Sequence, residues 1–147
     1  MKMNAIIDLD GTCSNAEPRK HLIDGSQKKD WDAFYDACDQ DEPHEDIKGL
    51  VWMLHKQAFK IHYLTGRVER VRGKTLAWLH RHGFPVAHLE MRADGDYRAD
   101  NIVKGEMADR LGLTPENTFL VLDDRDQVVR MWRSRGFRCL QVAEGAF

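Results

Sequence analysis

Met3–Asp8, with the sequence M-N-A-I-I-D, decides the fold of this chain. The run is short and apolar, it ends in an aspartate, and Leu9-Asp10-Gly11-Thr12 follows it directly. A short continuous apolar run is typical of a strand that is covered on both faces of its sheet. The glycine allows the backbone to turn closely around a ligand. The sequence therefore predicts a buried strand with polar side chains at its carboxyl end.

Four further segments have the same character, and helical patterns separate them. The predicted strands are Phe59–Thr65, Val86–Met91, Thr118–Leu122 and Phe137–Val142. The helical patterns begin near Ile47, Val68, Val103 and Val128. Strands that alternate with helices predict a mainly parallel five-stranded sheet with helices on both faces. We therefore expect a Rossmann-like three-layer α/β/α fold, with residues 1–147 forming one domain.

One connection is too long for a simple crossover. It covers residues 13–45, it is rich in Asp and Glu, and it has helical spacing at Trp31, Phe34, Tyr35 and Cys38. Because it follows the first strand, it is expected to lie over the carboxyl ends of the strands. We interpret it as a small lid inserted into the domain. The alternative interpretation is a surface loop with a solvated acidic face.

The composition of the 147 residues excludes several classes of protein. Lys and Arg number 22 against 24 Asp and Glu, and the resulting formal net charge of -2 excludes an overall basic binding protein. No apolar run is long enough to span a membrane, and no secretory signal is visible. We therefore expect a cytoplasmic protein without a membrane partner. The sequence does not indicate an oligomeric state.

The polar residues at the strand ends predict the chemistry, because ligands of open parallel α/β sheets bind beyond the carboxyl ends of the strands. The residues expected to meet there are Asp8, Asp10, Thr12, Thr65, Gly66, Arg67, Lys104, Asp123 and Asp124. Clustered carboxylates repel one another, and Mg²⁺, which prefers carboxylate oxygens, would balance them. Hydroxyl groups and cations fit a bound phosphoryl group. The sequence therefore predicts a magnesium site beside a phosphoryl site.

Asp8 and Asp10 are expected to divide the work at this site. Their i, i+2 spacing puts both side chains on one side of an extended chain. One carboxylate can attack phosphorus, because formation of an aspartyl-phosphate is a recognised covalent strategy. The other can protonate the leaving oxygen and later deprotonate the attacking water.

Four motifs in this order resemble those of the haloacid-dehalogenase-like (HAD) phosphatases. They are D-L-D-G-T at Asp8–Thr12, Thr65 with Gly66-Arg67, Lys104, and Asp123-Asp124. A narrower set of segments, which also includes Arg19, is similar to the 3′-phosphatase domain of bacteriophage polynucleotide kinase. These segments are L-T-G-R, R-x-D-N-I-V-K, L-D-D-R-D-Q-V-V-R-M-W-R and Q-V-A-E-G-A-F. The likeness covers nearly the whole chain.

This resemblance implies a role for each site residue. Asp8 would be the nucleophile and Asp10 the general acid/base. The phosphoryl oxygens would be held by Thr12, Arg19, Thr65, Gly66, Arg67 and Lys104. The Mg²⁺ ion would be held by Asp8, the Asp10 main-chain carbonyl and Asp123, with Asp124 supporting it through water. Asp100 would orient Lys104, which lies four residues later on the same helix face.

The resemblance implies a Mg²⁺-dependent phosphomonoesterase that removes 3′-phosphates from DNA or RNA. A nucleotidase or a small-metabolite phosphatase built on the same site is the alternative enzyme. From another class, a non-catalytic Mg²⁺-binding switch or receiver-like module would also use an aspartate cluster. No G-x-x-x-x-G-K-[ST] motif occurs in the sequence, so a kinase or ligase partner is expected on a separate polypeptide.

Overall fold

The computed structural model describes residues 2–25 and 28–147. In chain order the strands and α-helices of these residues are β1 (Asn4–Ile7), β2 (Ser14–Asn15), α1 (Trp31–Asp36), β3 (Glu42–Pro43), α2 (Glu45–Lys56), β4 (Lys60–Val68), α3 (Arg72–Arg81), β5 (His88–Arg92), α4 (Asp100–Arg110), β6 (Thr118–Asp123), α5 (Asp126–Ser134) and β7 (Cys139–Gln141). Among the helices of this described part, none is both long and apolar enough to cross a membrane.

Five strands form one parallel sheet in the order β5-β4-β1-β6-β7. The central strand β1 aligns Ile7 with Tyr63 of β4 and with Leu122 of β6. The residue after Ile7 is therefore at the same edge of the sheet as the end of β6. The predicted mainly parallel five-stranded sheet is confirmed.

Helices cover both faces of the sheet, because successive apolar residues of the central strand β1 point to opposite faces and both faces are buried. Ala5 and Ile7 belong to one buried cluster, whereas Ile6 between them belongs to another. The first cluster includes Val51 and Leu54 of α2 and Trp78 and Leu79 of α3. The second includes Val103 and Met107 of α4 and Val128 and Trp132 of α5. Because neither face of β1 meets water, its sequence is apolar throughout rather than alternating. The three-layer α/β/α arrangement follows the prediction.

Strand β4 continues past the glycine at which the sequence predicts its end. Thr65 pairs with Met91, and Val68 pairs with Arg92 after a shift in register. This irregularity keeps the chain beside β5 for longer, and α3 begins only at Arg72 after a 3₁₀ turn. The sequence prediction that Val68 starts the helical face is therefore wrong. The segment between Thr65 and Val68 is a bulged strand end, a geometry that often re-aims side chains at a site.

The insertion between β1 and α2 has little regular structure. Its two-residue strands β2 and β3 pair antiparallel, with Ser14 opposite Pro43. The short helix α1 begins after Asp30, whose side chain accepts a hydrogen bond from the Ala33 amide at 3.0 Å. The insertion rests on α3, because the Trp78 indole donates to the Asp41 carbonyl at 2.8 Å. Residues 26 and 27 of the expected lid lie outside the described residues, and the lid function stays a prediction.

Candidate active site

Three buried carboxylates meet where β1 and β6 end. Asp8 follows β1, Asp123 ends β6, and Asp124 is the next residue. Each of them offers a carboxylate oxygen within 4.8 Å of the other two. The parallel pairing of β1 with β6 brings together acids that lie near opposite ends of the sequence, as the strand-end argument requires.

The Lys104 ammonium lies between two of these carboxylates. Its Nζ donates to Asp8 Oδ1 at 2.6 Å and to Asp123 Oδ2 at 2.9 Å. Asp100, one turn earlier in α4, has Oδ2 3.8 Å from the same nitrogen. Burial lowers the pKa of Lys104, but Asp123 and Asp8 outweigh burial and the net shift of the pKa is upward. Lys104 is therefore a fixed cation inside the site.

One ammonium does not balance three buried carboxylates. Burial and the charge of Asp123 raise the pKa of Asp8 well above its usual value, although Lys104 opposes them. The same two causes raise the pKa of Asp124 to about 6. Carboxylate oxygens with excess negative charge suit a hard divalent cation, which would relieve the repulsion. The donor set of Asp8, Asp123 and Asp124 therefore fits Mg²⁺.

Asp10 lies beside this group, and two arginines hold its side chain. Asp10 Oδ1 accepts from Arg67 Nε at 3.0 Å and Nη2 at 2.7 Å, and from Arg19 Nη2 at 2.5 Å. Burial raises the pKa of Asp10, but Arg67 and Arg19 outweigh burial and bring the pKa below its usual range. In this arrangement Asp10 is held as a carboxylate anion.

Arg19 and Arg67 are almost completely buried, with 3% and 0% of their surfaces exposed. Besides Asp10, Arg19 contacts both oxygens of Asp41, at 2.8 and 2.5 Å. Arg67 also donates to the Thr75 hydroxyl at 3.1 Å. The sequence predicts that both guanidinium groups hold phosphoryl oxygens. The structure places both on the Asp10 carboxylate, so their positive charge is already matched by acids.

The remaining predicted residues lie close around the three carboxylates. The Thr12 hydroxyl donates to Asp8 Oδ2 at 2.9 Å. The Thr65 hydroxyl oxygen accepts from the Arg67 amide at 3.1 Å. Gly66 faces the cavity described next, and a methyl group in place of its hydrogen would overlap the Asp100 carboxylate. The structure thus brings every predicted site residue to one region, with Arg19 and Arg67 behind Asp10.

A cavity of about 660 Å³ opens in front of these residues. The part of its lining that is formed by Asp8, Asp10, Asp123 and Asp124 is called the polar end. Trp31, Phe34 and Tyr35 of the insertion also line the cavity. The volume is in the range of pockets that bind small organic ligands. The cavity is therefore large enough for a phosphorylated group and part of the molecule that carries it.

Two further arginines line this cavity, and the sequence analysis assigned neither of them a role at the site. Arg92 donates from Nε to the Gly66 carbonyl at 2.8 Å and lies 3.3 Å from Asp100 Oδ1. Arg125 has Nη1 3.8 Å from Asp100 Oδ2. Both had a signal in the sequence, since Arg92 is the last residue of β5 and Arg125 directly follows the aspartate pair. Inspection of the carboxyl end of every predicted strand would have found Arg92.

The fold is one that this chain shares with solved structures of HAD-type hydrolases. The architecture matches a putative haloacid dehalogenase-like hydrolase from Bacteroides fragilis, with a TM-score of 0.66 and 15% identity over 100% of this chain and 90% of that one. A class C acid phosphatase from Bacillus anthracis, solved with tungstate bound, also matches in fold, with a TM-score of 0.69 and 16% identity over 100% of this chain and 69% of that one.

A family model described as the polynucleotide kinase PNKP phosphatase domain matches residues 2–147, and the chain belongs to this family. A chain in the structure of the Pnkp1/Rnl/Hen1 RNA repair complex is 32% identical, with a TM-score of 0.82. The match covers 98% of this chain and 43% of that chain. A second structure of the complex matches at 33% identity and a TM-score of 0.80, over 100% and 48% of the two chains. This chain thus spans less than half the length of those relatives.

Proposed function

We propose that this protein is a Mg²⁺-dependent polynucleotide 3′-phosphatase that works through an aspartyl-phosphate on Asp8. The observation that carries the proposal is the position of Asp8. Among the carboxylates of residues 2–25 and 28–147, Asp8 is the one that contacts both the Lys104 ammonium and the Thr12 hydroxyl, and the chain belongs to a family of polynucleotide kinase phosphatase domains. The reacting phosphoryl group would enter at the polar end of the cavity, where Asp8 is one of the lining residues.

In the proposed first step, a carboxylate oxygen of Asp8 attacks phosphorus and the bond from phosphorus to the 3′ oxygen breaks. The leaving oxygen takes a proton from Asp10. Asp10 acquires this proton from solvent before the first turnover and from the attacking water of the preceding turnover thereafter. Lys104 and Thr12, already in contact with Asp8, would then lie within reach of the phosphoryl oxygens. Arg19 and Arg67 orient Asp10 in this proposal rather than binding phosphate in the resting state.

In the second step, water attacks phosphorus, the bond from phosphorus to the Asp8 oxygen breaks, and phosphate leaves while Asp8 returns to a carboxylate. Asp10 accepts the proton of that water. The depressed pKa of Asp10 favours the ionised form that this step needs. When bound to Asp8, Asp123 and Asp124, Mg²⁺ would supply positive charge to the phosphoryl group. Uncatalysed hydrolysis of phosphate monoesters is so slow that a barrier reduction of ~20 kcal/mol or more is required, which one carboxylate alone does not provide.

Phosphate release from 3′- and 5′-phosphorylated oligonucleotides, 3′-mononucleotides and sugar phosphates tests this proposal. We expect the largest kcat/KM for the oligonucleotide 3′-phosphate, and no turnover without a divalent cation. Asp8→Asn is expected to abolish turnover. Asp10→Asn is expected to lower kcat by about 10²- to 10⁴-fold, the usual contribution of a general acid/base. Asp109→Asn, on the exposed surface of α4, serves as the matched control.

The outcomes separate the proposal from its alternatives. Equal or higher kcat/KM for a mononucleotide or sugar phosphate would favour the nucleotidase or metabolite phosphatase. A single slow phosphorylation without repeated turnover would indicate a switch module. Turnover that survives Asp8→Asn would refute the mechanism itself.

We also propose that the protein acts together with a kinase and a ligase that work on the same nucleic-acid ends. The support is that the matched chains come from a Pnkp1/Rnl/Hen1 RNA repair complex. The cytoplasmic location expected from the sequence belongs to the same proposal. Co-purification with polynucleotide kinase or ligase activity from the source cells would support it, and purification without either activity would count against it.

A further inference from the structure

The loop between β5 and α4 is an unusually well-braced part of the cavity rim. The Arg92 guanidinium donates from Nη1 to the carbonyls of Asp96, at 3.0 Å, and Arg98, at 2.6 Å. Through Nε it also donates to the Gly66 carbonyl on the neighbouring strand at 2.8 Å. The buried Arg92 side chain thus links the residues on both sides of residue 97 to the bulged end of β4.

A second arginine braces the same loop from outside. Arg98 makes two hydrogen bonds to the Asp96 carboxylate, at 3.0 and 2.9 Å, and two to that of Glu106, at 2.7 and 2.6 Å. Residues 96 and 98 are therefore fixed through both their main chains and their side chains. The backbone position of the residue between them is set before any ligand arrives.

That residue is Tyr97, which lines the cavity and is 91% exposed. Among residues 2–25 and 28–147, its side chain has no hydrogen bond and no aromatic partner. The aromatic residues on the insertion differ in this respect. Trp31 stacks on Tyr35 with 5.8 Å between ring centroids and meets Phe34 edge-on at 5.6 Å. Tyr97 is thus an exposed aromatic ring at the cavity mouth. A flat ligand can reach either face of this ring.

The charges of the rim point to the kind of ligand. Arg98 is matched by Asp96 and Glu106, and Arg70 on the same rim is matched by Asp36. Paired cations give weak attraction to a phosphate backbone, whereas an aromatic ring offers stacking to any base. An immobile loop also avoids the entropy cost of ordering its residues when the ligand binds.

We propose that Tyr97 is the stacking platform for the nucleobase of the nucleotide that carries the 3′-phosphate. This inference rests on the proposed function and assigns recognition of the terminal base to one side chain. The phosphate occupies the polar end of the cavity, while the adjoining base covers the Tyr97 ring. Tyr97 is a specificity residue and takes no part in the transfer of the phosphoryl group.

The test compares two oligonucleotides that differ only at their 3′-terminal, phosphorylated residue. One has a normal nucleotide there, and the other has a base-free tetrahydrofuran analogue. Stacking on an aromatic side chain contributes about 1–3 kcal/mol per base, so wild-type kcat/KM should favour the base by about 5- to 150-fold. Tyr97→Ala should reduce this preference to about 2-fold or less, mainly through KM. Tyr97→Phe, which keeps the ring, should retain it.

A control variant and a binding measurement complete the design. Val86→Ala changes another side chain that is 91% exposed but lies outside the cavity lining, and it should retain the full preference. In the Asp8→Asn background, which prevents turnover, a terminal 2-aminopurine should lose fluorescence on binding by stacking on the tyrosine. Replacing Tyr97 by alanine in that background should remove most of the loss.

The inference and the proposed function fail in different ways. A wild-type enzyme that processes both oligonucleotides without a preference, or a preference that survives Tyr97→Ala, would overturn the platform and leave the 3′-phosphatase intact. A wild-type enzyme that hydrolyses sugar phosphates but releases no phosphate from either oligonucleotide would overturn both.

Discussion

At the level of single residues, the carboxylate of Asp10 shows how neighbouring charges set a chemical role. Two guanidinium groups converge on one of its oxygens, and a second acid, Asp41, holds Arg19 in place. Removing one member of a buried charge network leaves its partner uncompensated, which is costly. Arg67, with 0% of its surface exposed, is the most enclosed member of this network.

Arg67→Lys should therefore destabilise the protein although it keeps the charge. Lysine does not reproduce the two contacts that Arg67 Nε and Nη2 make with Asp10 or the contact with Thr75. We expect a loss of about 2–4 kcal/mol in the free energy of unfolding, measured by urea denaturation. Arg110→Lys changes an exposed arginine paired with Glu90 and should cost about 0.5 kcal/mol or less. Equal losses in both variants would show that the buried contacts of Arg67 stabilise the protein no more than an exposed ion pair does.

His62 is a second residue whose surroundings have a measurable consequence. Its Nε2 is 2.9 Å from Asn4 Oδ1, and its buried Nδ1 has no partner among the described residues. Burial, with Lys60 and His88, lowers its pKa to about 4. The unfolded chain takes up a proton near pH 6.5, whereas the folded chain does so only near pH 4. The neutral folded form therefore loses stability relative to the unfolded chain as pH falls through this window.

His62→Gln should reduce this pH dependence, because glutamine keeps a donor for Asn4 and does not titrate. Between pH 7.5 and pH 5 the wild-type protein should lose about 2 kcal/mol more unfolding free energy than the variant. Urea denaturation of both proteins at the two pH values measures the difference. Parallel losses would mean that His62 is protonated in the folded protein at pH 5.

At the level of elements, the turn after β1 is the tightest approach in the site. Gly11 has a φ of 83°, and a Cβ atom there would overlap the Asp124 carboxylate. Gly25, with a φ of 85°, has no atom of the other described residues within 4 Å of the same position. The two glycines share the backbone requirement but differ in their surroundings.

Alanine substitutions at these two glycines separate strain from crowding. Both variants pay about 1–2 kcal/mol for the left-handed backbone. Gly11→Ala should lose a further 1–3 kcal/mol or so by displacing Asp124, an effect of the size expected for overpacking. Thermal and urea unfolding of the pair provide the comparison. If Gly25→Ala were as destabilising as Gly11→Ala, the close approach to Asp124 would be immaterial.

The elements also show how far the sequence predicts the structure. All five strands of the sheet and the four long helices follow from apolar runs and helical spacing, since each buries a continuous face. The pair β2 and β3 was missed because two residues carry no periodicity. The end of β4 was misplaced because its pairing across a bulge depends on β5. The strand-end rule located the aspartates and Lys104, but the partners of Arg19 and Arg67 depend on how the insertion folds back.

At the level of the whole molecule, binding of Mg²⁺ should be visible as added stability. Three carboxylates that repel one another in the folded protein are relieved by the ion. At a concentration of 100 times Kd, a ligand adds about 2.7 kcal/mol, equivalent to a rise of roughly 5–10 °C in Tm. Differential scanning fluorimetry with and without MgCl₂ measures this rise. Asp123→Asn should strongly reduce the rise in Tm, whereas Asp109→Asn should not. A full rise in Asp123→Asn would show that the ion binds at another site.

The overall charge distribution predicts that activity depends weakly on salt. The formal net charge is -2, and Arg70 and Arg98, two of the cations that line the cavity, are paired with acids. Each phosphate contact contributes a slope of about 0.7–0.9 in a plot of log affinity against log salt. For a single-stranded 3′-phosphorylated oligonucleotide we expect a slope shallower than about -2 in log kcat/KM between about 50 and 200 mM NaCl. A steeper slope would indicate that the oligonucleotide contacts an extended basic surface of the protein.

The hydrogen bonds from Lys104 to Asp8 and to Asp123 have a consequence for protein synthesis. A nascent chain that has not yet reached β6 carries the first aspartate but lacks the acids that complete the cluster. A ribosome stalled before that strand therefore releases a fragment in which the cluster of three carboxylates is incomplete.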